Sequence, residues 1–134
     1  MTFPRLSVLA LCMAVAAPAA ADPLPAPDYF VASAFETSTA QAIALSCSNL
    51  SVDPAAVARH SDDVMTALAA DGFTAENVSE RMADPSGAIA TLQAAFLARH
   101  DLAEGAPEEA VCAAGRREMA EGSALGALLT EVAP

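Results

Sequence analysis

Residues 53–72, DPAAVARHSDDVMTALAADG, predict one helix whose two ends are both marked in the sequence. Asp53 can accept hydrogen bonds from the free N–H groups of a first turn, and the preset φ of Pro54 suits the first helical position. Gly72 tolerates the left-handed conformation that ends many helices. The larger apolar residues between these ends share one side of the helix: Val57, Val64, Met65 and Leu68. The stretch therefore predicts an amphipathic helix with one buried face.

Apolar residues at helical spacing, with helix-start signals before them, also occur before and after residues 53–72. Thr74 can cap a short helix, Asp84-Pro85 repeats the cap-and-proline start, and Pro107 precedes two acids that favour a helix beginning. The apolar positions of these further helices are Val31, Phe35, Ile43 and Cys47; Val78 and Met82; Ile89, Leu92, Phe96 and Leu97; Val111, Cys112, Gly115 and Met119; and, after a break at Gly122-Ser123, Leu125, Leu128 and Leu129. No stretch alternates with a period of two, so we predict an all-α fold, a small bundle of five or six short helices in a single domain over residues 29–134.

The N-terminus has the pattern of a secretory signal peptide over residues 1–21. Arg5 provides a basic start, an apolar run follows, and Ala19-Ala20-Ala21 provides a small-residue cleavage site. A lipoprotein signal at Cys12 is the alternative, but Leu11 is too large for that cleavage. Residues 22–28 contain three prolines and predict an extended leader into the domain. We therefore expect a periplasmic or secreted protein, cleaved after Ala21.

Two cysteines remain after signal cleavage, Cys47 and Cys112, in a compartment that is oxidising. They are expected to form a disulfide that staples the helices together. Closing a loop of about 66 residues removes unfolded-chain entropy worth roughly 4 kcal/mol. A redox-active or metal-binding pair is the alternative, although neither cysteine lies in a Cys-x-x-Cys spacing.

The chain is acidic, with six arginines, seventeen Asp or Glu residues and a formal net charge of −11. Loss of Arg5 with the signal peptide leaves five arginines against the same seventeen acids, a net charge of −12. Such a surface repels nucleic acid and anionic lipid, so we expect no nucleic-acid partner and no membrane insertion after signal cleavage.

Two histidines, His60 and His100, are the obvious candidates for catalysis or metal binding. The acids near them are Asp62 and Asp63 for the first, Asp101 and Glu104 for the second. These spacings do not match the patterns that aim two helical side chains at one ion. We therefore predict no catalytic, cofactor-binding or metal-binding residue and no cofactor, with both histidines partly buried or at helix ends.

Glu118 is the acid that stands out, because it projects between Val111 and Gly115 on the face expected to be buried. A buried carboxylate is costly unless it is hydrogen-bonded or paired. A structural role would have Glu118 accept N–H groups near Ser123 or pair with an arginine. The functional alternative is an acid of shifted pKa that lines a pocket.

Residues 112–119 read CAAGRREM and are followed by SALGALL at 123–129. This C-terminal motif resembles the closing signature of a family of small, exported, uncharacterised proteins of alphaproteobacteria. Cys47 and the Gly-Phe-Thr turn at residues 72–74 also correspond to that family. This chain departs in lacking basic residues around Cys47 and at the C-terminus. The resemblance implies export, a helical fold and the disulfide, but no activity.

These observations favour a periplasmic interaction or structural module without enzymatic activity, whose partner is an unidentified periplasmic protein. The first alternative is an acid- or stress-protective holdase, because many carboxylates would be neutralised at low pH. The second alternative is an enzyme or small-ligand binder that uses Glu118 with a histidine.

Overall fold

The computed structural model describes residues 21–133, so the predicted signal peptide lies outside the described residues except for Ala21. Within this range the chain forms five α-helices and two short strands: α1 (Asp28–Ser46), β1 (Leu50–Val52), α2 (Pro54–Ala70), α3 (Val78–Arg81), α4 (Ser86–Arg99), α5 (Glu108–Glu121) and β2 (Leu129–Glu131). No helix in this range combines the length and the hydrophobicity needed to cross a membrane.

The prediction of a purely α-helical fold is wrong in one respect, because β1 and β2 pair as a two-stranded antiparallel sheet. Ser51 pairs with Thr130 at the centre of this sheet. The predicted last helix is also wrong, since residues 126–128 form one 3-10 turn that leads directly into β2. Strands of three residues are too short to show a period of two, and the two strands that pair are far apart in the sequence. The mostly helical character is confirmed.

The start of α2 and the end of α5 have the predicted chemistry, whereas α3 and α4 begin after the predicted caps Thr74 and Asp84, with Asn77 and Pro85 at their N-caps. Oδ1 of Asp53 accepts hydrogen bonds from the N–H groups of Ala55 and Ala56, at 2.9 and 3.1 Å, and Pro54 takes the first position of α2. Gly122 has a φ of 66° and ends α5 in the left-handed conformation. These local signals therefore fix where α2 starts and where α5 stops.

The main core lies between α1 and α5, which are joined by the predicted disulfide between Cys47 and Cys112. The two Cα atoms are 5.2 Å apart and both cysteines are buried. The residues buried around the disulfide include Ala40, Ile43, Leu50, Phe96, Ala114, Leu125, Leu128 and Leu129. The bridge thus holds the C-terminal end of α1 against the start of α5.

A second, smaller cluster lies beside the extended residues that precede α1. Leu68, Phe73 and Met82 form its buried centre. The N–H of Leu24 donates to the carbonyl of Arg81, at 2.6 Å, and the N–H of Ala83 donates back to Leu24, at 2.7 Å. These two bonds anchor the segment before α1 to the end of α3.

Glycine allows the closest approach in the core. A Cβ on Gly126 would overlap the main-chain carbonyl of Glu118, and a Cβ on Gly115 would come within 2.5 Å of Leu50 Cδ1. No side chain fits between α5 and the 3-10 turn at Gly126, because the opposing atoms belong to the backbone.

We expect Gly126→Ala to lower the free energy of unfolding by about 1–3 kcal/mol, the usual cost of overpacking. The matched control is Gly87→Ala, since Gly87 lies in the first turn of α4 with open space around it. The control should leave stability unchanged or raise it by up to about 1 kcal/mol. Urea unfolding followed by circular dichroism measures both, and a Gly126→Ala protein as stable as wild type would contradict this account of the packing.

Candidate functional site

Glu118 lies in the core of the domain, on the buried side of α5, with 1% of its side chain exposed. Cys112 and Gly115 occupy the same side of the helix at intervals of three residues, so the helical period that buries the disulfide also buries this carboxylate. Glu118 is the largest fully buried side chain among the described residues. Its charge must therefore be balanced inside the protein.

Two basic side chains from the end of α4 meet this carboxylate. Nε2 of His100 lies 2.6 Å from Oε1 of Glu118, and the guanidinium of Arg99 donates to the same oxygen. The His100 side chain is only 2% exposed, whereas that of Arg99 is half exposed. The ring of His100 also lies against Phe96, with 4.6 Å between ring centroids. The C-terminal end of α4 therefore supplies both the guanidinium and the imidazole that contact Glu118.

The environment keeps Glu118 ionised. Burial by itself raises the pKa of a carboxyl, but hydrogen bonds from Ser123 and His100 and the charge of Arg99 outweigh it, so the pKa of Glu118 lies below its ordinary value. The hydroxyl of Ser123 is also 3.3 Å from the main-chain carbonyl of Glu118, and it accepts from the N–H of Gly126 at 3.0 Å. Glu118 thus connects α4, α5 and the turn that follows.

This arrangement suits a structural carboxylate better than a catalytic one. A general acid or base must come within hydrogen-bond reach of its substrate. The side chains of Glu118 and His100 are almost completely enclosed, and the oxygen Oε1 already has two partners. The pairing with an arginine matches one of the two structural roles expected from the sequence, with Arg99 as the partner.

His60 belongs to a separate pair. Its Nε2 lies 3.2 Å from Oε2 of Glu36, across the contact between α2 and α1. The atoms are not aligned for a hydrogen bond, and Nε2 of His60 is the buried side-chain atom without a hydrogen-bond partner in the described chain. Burial raises the pKa of Glu36, and the nearby His60 only partly offsets this effect. The pair is half buried and lies apart from Glu118.

Metal binding gains no support from either pair. Among residues 21–133 no group of three or more His, Cys, Asp or Glu side chains is arranged to hold an ion. The cysteines are joined to each other, and each histidine contacts a single carboxylate.

A groove with a volume of about 400 Å³ lies between α1, α4 and the loop before α5. Its apolar lining is formed by Ala42, Ile43, Phe96, Leu97, Leu102, Ala103, Gly105, Ala106 and Val111. Its polar lining is formed by Ser38, Thr39, Ser46 and Gln93. None of these side chains is charged, although the chain as a whole carries a net charge of −11. The volume is in the range of ligand-binding clefts in proteins.

Two large apolar side chains at this groove are open to solvent. Leu97 lines it and is 42% exposed, while Leu45 is 89% exposed. Leu45 follows Ser38 and Ala42 at the i, i+4, i+7 spacing of one helical stripe, which places it at the edge of the groove. We refer to the groove together with Leu45 as the groove face.

The sequence identifies only part of this geometry. Helical spacing predicts that Glu118 is buried and that His100 lies below Phe96, but it does not reveal Arg99 or Glu36. The adjacent basic residues Arg99 and His100 at a helix end are the available signal for the cluster. The groove face depends on how α4 packs on α1, and the sequence contains no local sign of it.

Comparison with known proteins identifies the family of the chain but does not identify an activity. The chain belongs to a family of unknown function, DUF5333, whose family model matches residues 22–130. No curated protein and no solved structure matches the chain. The resemblance to uncharacterised proteins is thus confirmed at the level of a family without an assigned function.

We expect Glu118→Gln to lower the free energy of unfolding at pH 7 by about 2 kcal/mol, the size of a hydrogen bond to a charged group. The folded-state pKa of Glu118 is depressed, so the ionised carboxylate stabilises the protein above the unfolded-state pKa. That contribution is lost as the pH falls through the folded-state pKa. The difference between wild type and variant, measured by urea unfolding, should therefore shrink from pH 7 toward about pH 3.

Glu36→Gln is the matched control. Burial raises the pKa of Glu36, so its protonated form stabilises the fold below the unfolded-state pKa and this effect is lost as the pH rises through the folded-state pKa. At pH 7 this variant should keep the unfolding free energy within about 0.5 kcal/mol of wild type, or raise it. Equal losses in the two variants would show that the ionised state of Glu118 has no special role.

Proposed function

We propose that the protein is a periplasmic module that binds another protein on its groove face and has no enzymatic activity. The observation that carries this proposal is the 89% exposure of Leu45 beside an uncharged, largely apolar groove. Contiguous apolar surface that is rimmed by polar residues is typical of interaction sites. Covering it with a partner would remove this surface from water and gain hydrophobic free energy.

The buried pair formed by Glu118 and His100 also supports this proposal. Glu118 and His100 are enclosed by the protein, and neither is among the residues that line the groove. Phe96 contacts both regions, since it lines the groove and lies against His100. The ionised cluster therefore supports the wall of the groove without presenting a reactive group to an occupant.

Export to the periplasm is supported by the signal-peptide pattern of residues 1–21 and by the disulfide. A buried bridge between Cys47 and Cys112 forms and persists in an oxidising compartment. The module would act after cleavage at Ala21, as a domain whose first residues are held by Leu24 against the end of α3.

Site-specific photo-crosslinking tests the proposal in the producing cell. A photo-reactive phenylalanine analogue at Leu45 should give a discrete crosslinked product with one protein, because this position borders the occupied groove. The same analogue at Met65 is the matched control, since Met65 is an exposed apolar residue of α2 outside the groove face.

The expected result is a crosslink from position 45 that is absent from position 65 and is competed by unlabelled protein. Equal patterns from the two positions, or no product from either, would overturn the proposal.

A further inference from the structure

We infer that the occupant of the groove face is an amphipathic helix of the partner, with an apolar stripe that enters the groove and Lys or Arg residues that meet the acidic loop before α5. This inference rests on the proposed function, because it specifies the chemistry of the partner at the same face. Three features of the groove face lead to it: the absence of a strand edge, the uncharged lining and the distribution of acids beside it.

The walls of the groove favour a helical occupant. The lining residues come from α1, α4, the loop between α4 and α5, and the first turn of α5, and none comes from β1 or β2. Backbone groups inside helices are already paired with each other. An extended peptide would therefore bury its own N–H and C=O groups without a strand edge to pair with. A helix satisfies these groups internally and presents only side chains.

The lining of the groove favours apolar side chains on that helix. Phe96, Leu97 and Ile43 contribute apolar surface, and the hydroxyl of Ser38 already donates to the carbonyl of Phe35 at 3.1 Å. No lining residue can neutralise a charge that is carried into the groove. A charged side chain placed there would lose its hydration without gaining a partner, which is unfavourable.

The loop between α4 and α5 favours basic residues beside the apolar stripe. Leu102 and Ala106 of this loop line the groove, and the loop also carries the exposed acids Asp101 and Glu104. In the described chain neither of these two acids forms a salt bridge.

The two arginines near this loop already contact other carboxylates. Arg117, whose charge also acts on Asp101, donates from Nε to Glu121 at 2.8 Å. Arg99 directs its guanidinium to Glu118, so its charge is already balanced by the buried carboxylate. Lys or Arg residues on a partner would supply the missing positive charge and would also speed its approach to a protein of net charge −11.

The same charges disfavour a second copy of this chain as the occupant. A symmetric dimer brings the same surface patch of both subunits together. It would place Asp101 and Glu104 of one copy close to those of the other, and like charges at an interface are costly.

Fluorescence anisotropy with synthetic helical peptides tests the inference on the mature, oxidised protein. The probe is a peptide of about fifteen residues in which Leu recurs at the i, i+3, i+4, i+7 spacing and the other positions are Lys or Ala. Two comparison peptides accompany it, one with the same composition in scrambled order and one with Glu in place of Lys.

The probe should bind at least tenfold more tightly than either comparison peptide, and its affinity should fall steeply with added salt because exposed charges contribute. Leu97→Gln and Ala42→Phe, which change the groove itself, should each weaken binding about tenfold, as expected for central interface residues. Circular dichroism and urea unfolding of both variants establish that the fold is retained.

A matched pair of charge variants separates local from global electrostatics. Asp101→Asn with Glu104→Gln should weaken binding of the probe about threefold to tenfold. Asp62→Asn with Asp63→Asn removes the same number of charges from the exposed side of α2 and should change binding by less than twofold. Equal effects of the two double variants would mean attraction to overall charge and would overturn the inference.

Equal binding of the ordered and scrambled peptides would overturn the inference, and so would binding of the Glu peptide. A concentration-dependent dimer that Ala42→Phe abolishes would identify a second copy as the occupant. A crosslink from Leu45 in the cell without binding of the Lys peptide would support the proposed function but reject the amphipathic basic helix as the partner. If neither the crosslink nor the peptide binding is observed, the proposed function and this inference are both rejected.

Discussion

The disulfide between Cys47 and Cys112 is the constraint on which the arrangement of the domain depends. It holds the C-terminal end of α1 5.2 Å, Cα to Cα, from the first turn and a half of α5. β1 begins three residues after Cys47, so the bridge also sets where this strand starts relative to α5. Because β2 follows α5 after one turn, the two strands meet at the same end of the core. The sheet is therefore a consequence of the helix pair that the disulfide fixes, and two strands of three residues would not be stable alone.

The groove face follows from how unevenly the helices pack around that pair. Gly115 and Gly126 let β1 and the last turn approach α5 with no space left for side chains. α1 also meets α4, where the ring of Phe96 packs at a centroid distance of 6.1 Å from Phe35. Small residues such as Ala42 and Ala103 line the remaining space, so α1 and α4 stay separated there. A larger residue in place of these alanines would close the groove, which means that its volume is determined by side-chain size at the contact.

The sequence determines the local features of this protein more fully than its long-range ones. Asp53, Pro54 and Gly122 mark helix ends through interactions within a few residues, and the structure agrees with each of them. The burial of Glu118 also follows from helical periodicity alone. Which side chains contact Glu118 depends on where α4 ends against α5, and the pairing of β1 with β2 joins segments that are far apart in the sequence. Neither contact has a signature within a helix-sized window of sequence, and the groove between α1 and α4 has none either.

The distribution of charge connects the interior of the domain with its proposed function. If the acidic residues served solubility alone, we would not expect them to be absent from the groove lining and present next to it. The groove lining contains no charged residue, and Asp101 and Glu104 lie in the loop that contributes to this lining. The burial of Glu118 explains part of this pattern, because its carboxylate engages the guanidinium of Arg99. One ion pair thus stabilises the end of α4 and also reduces the positive charge that is available to the loop acids.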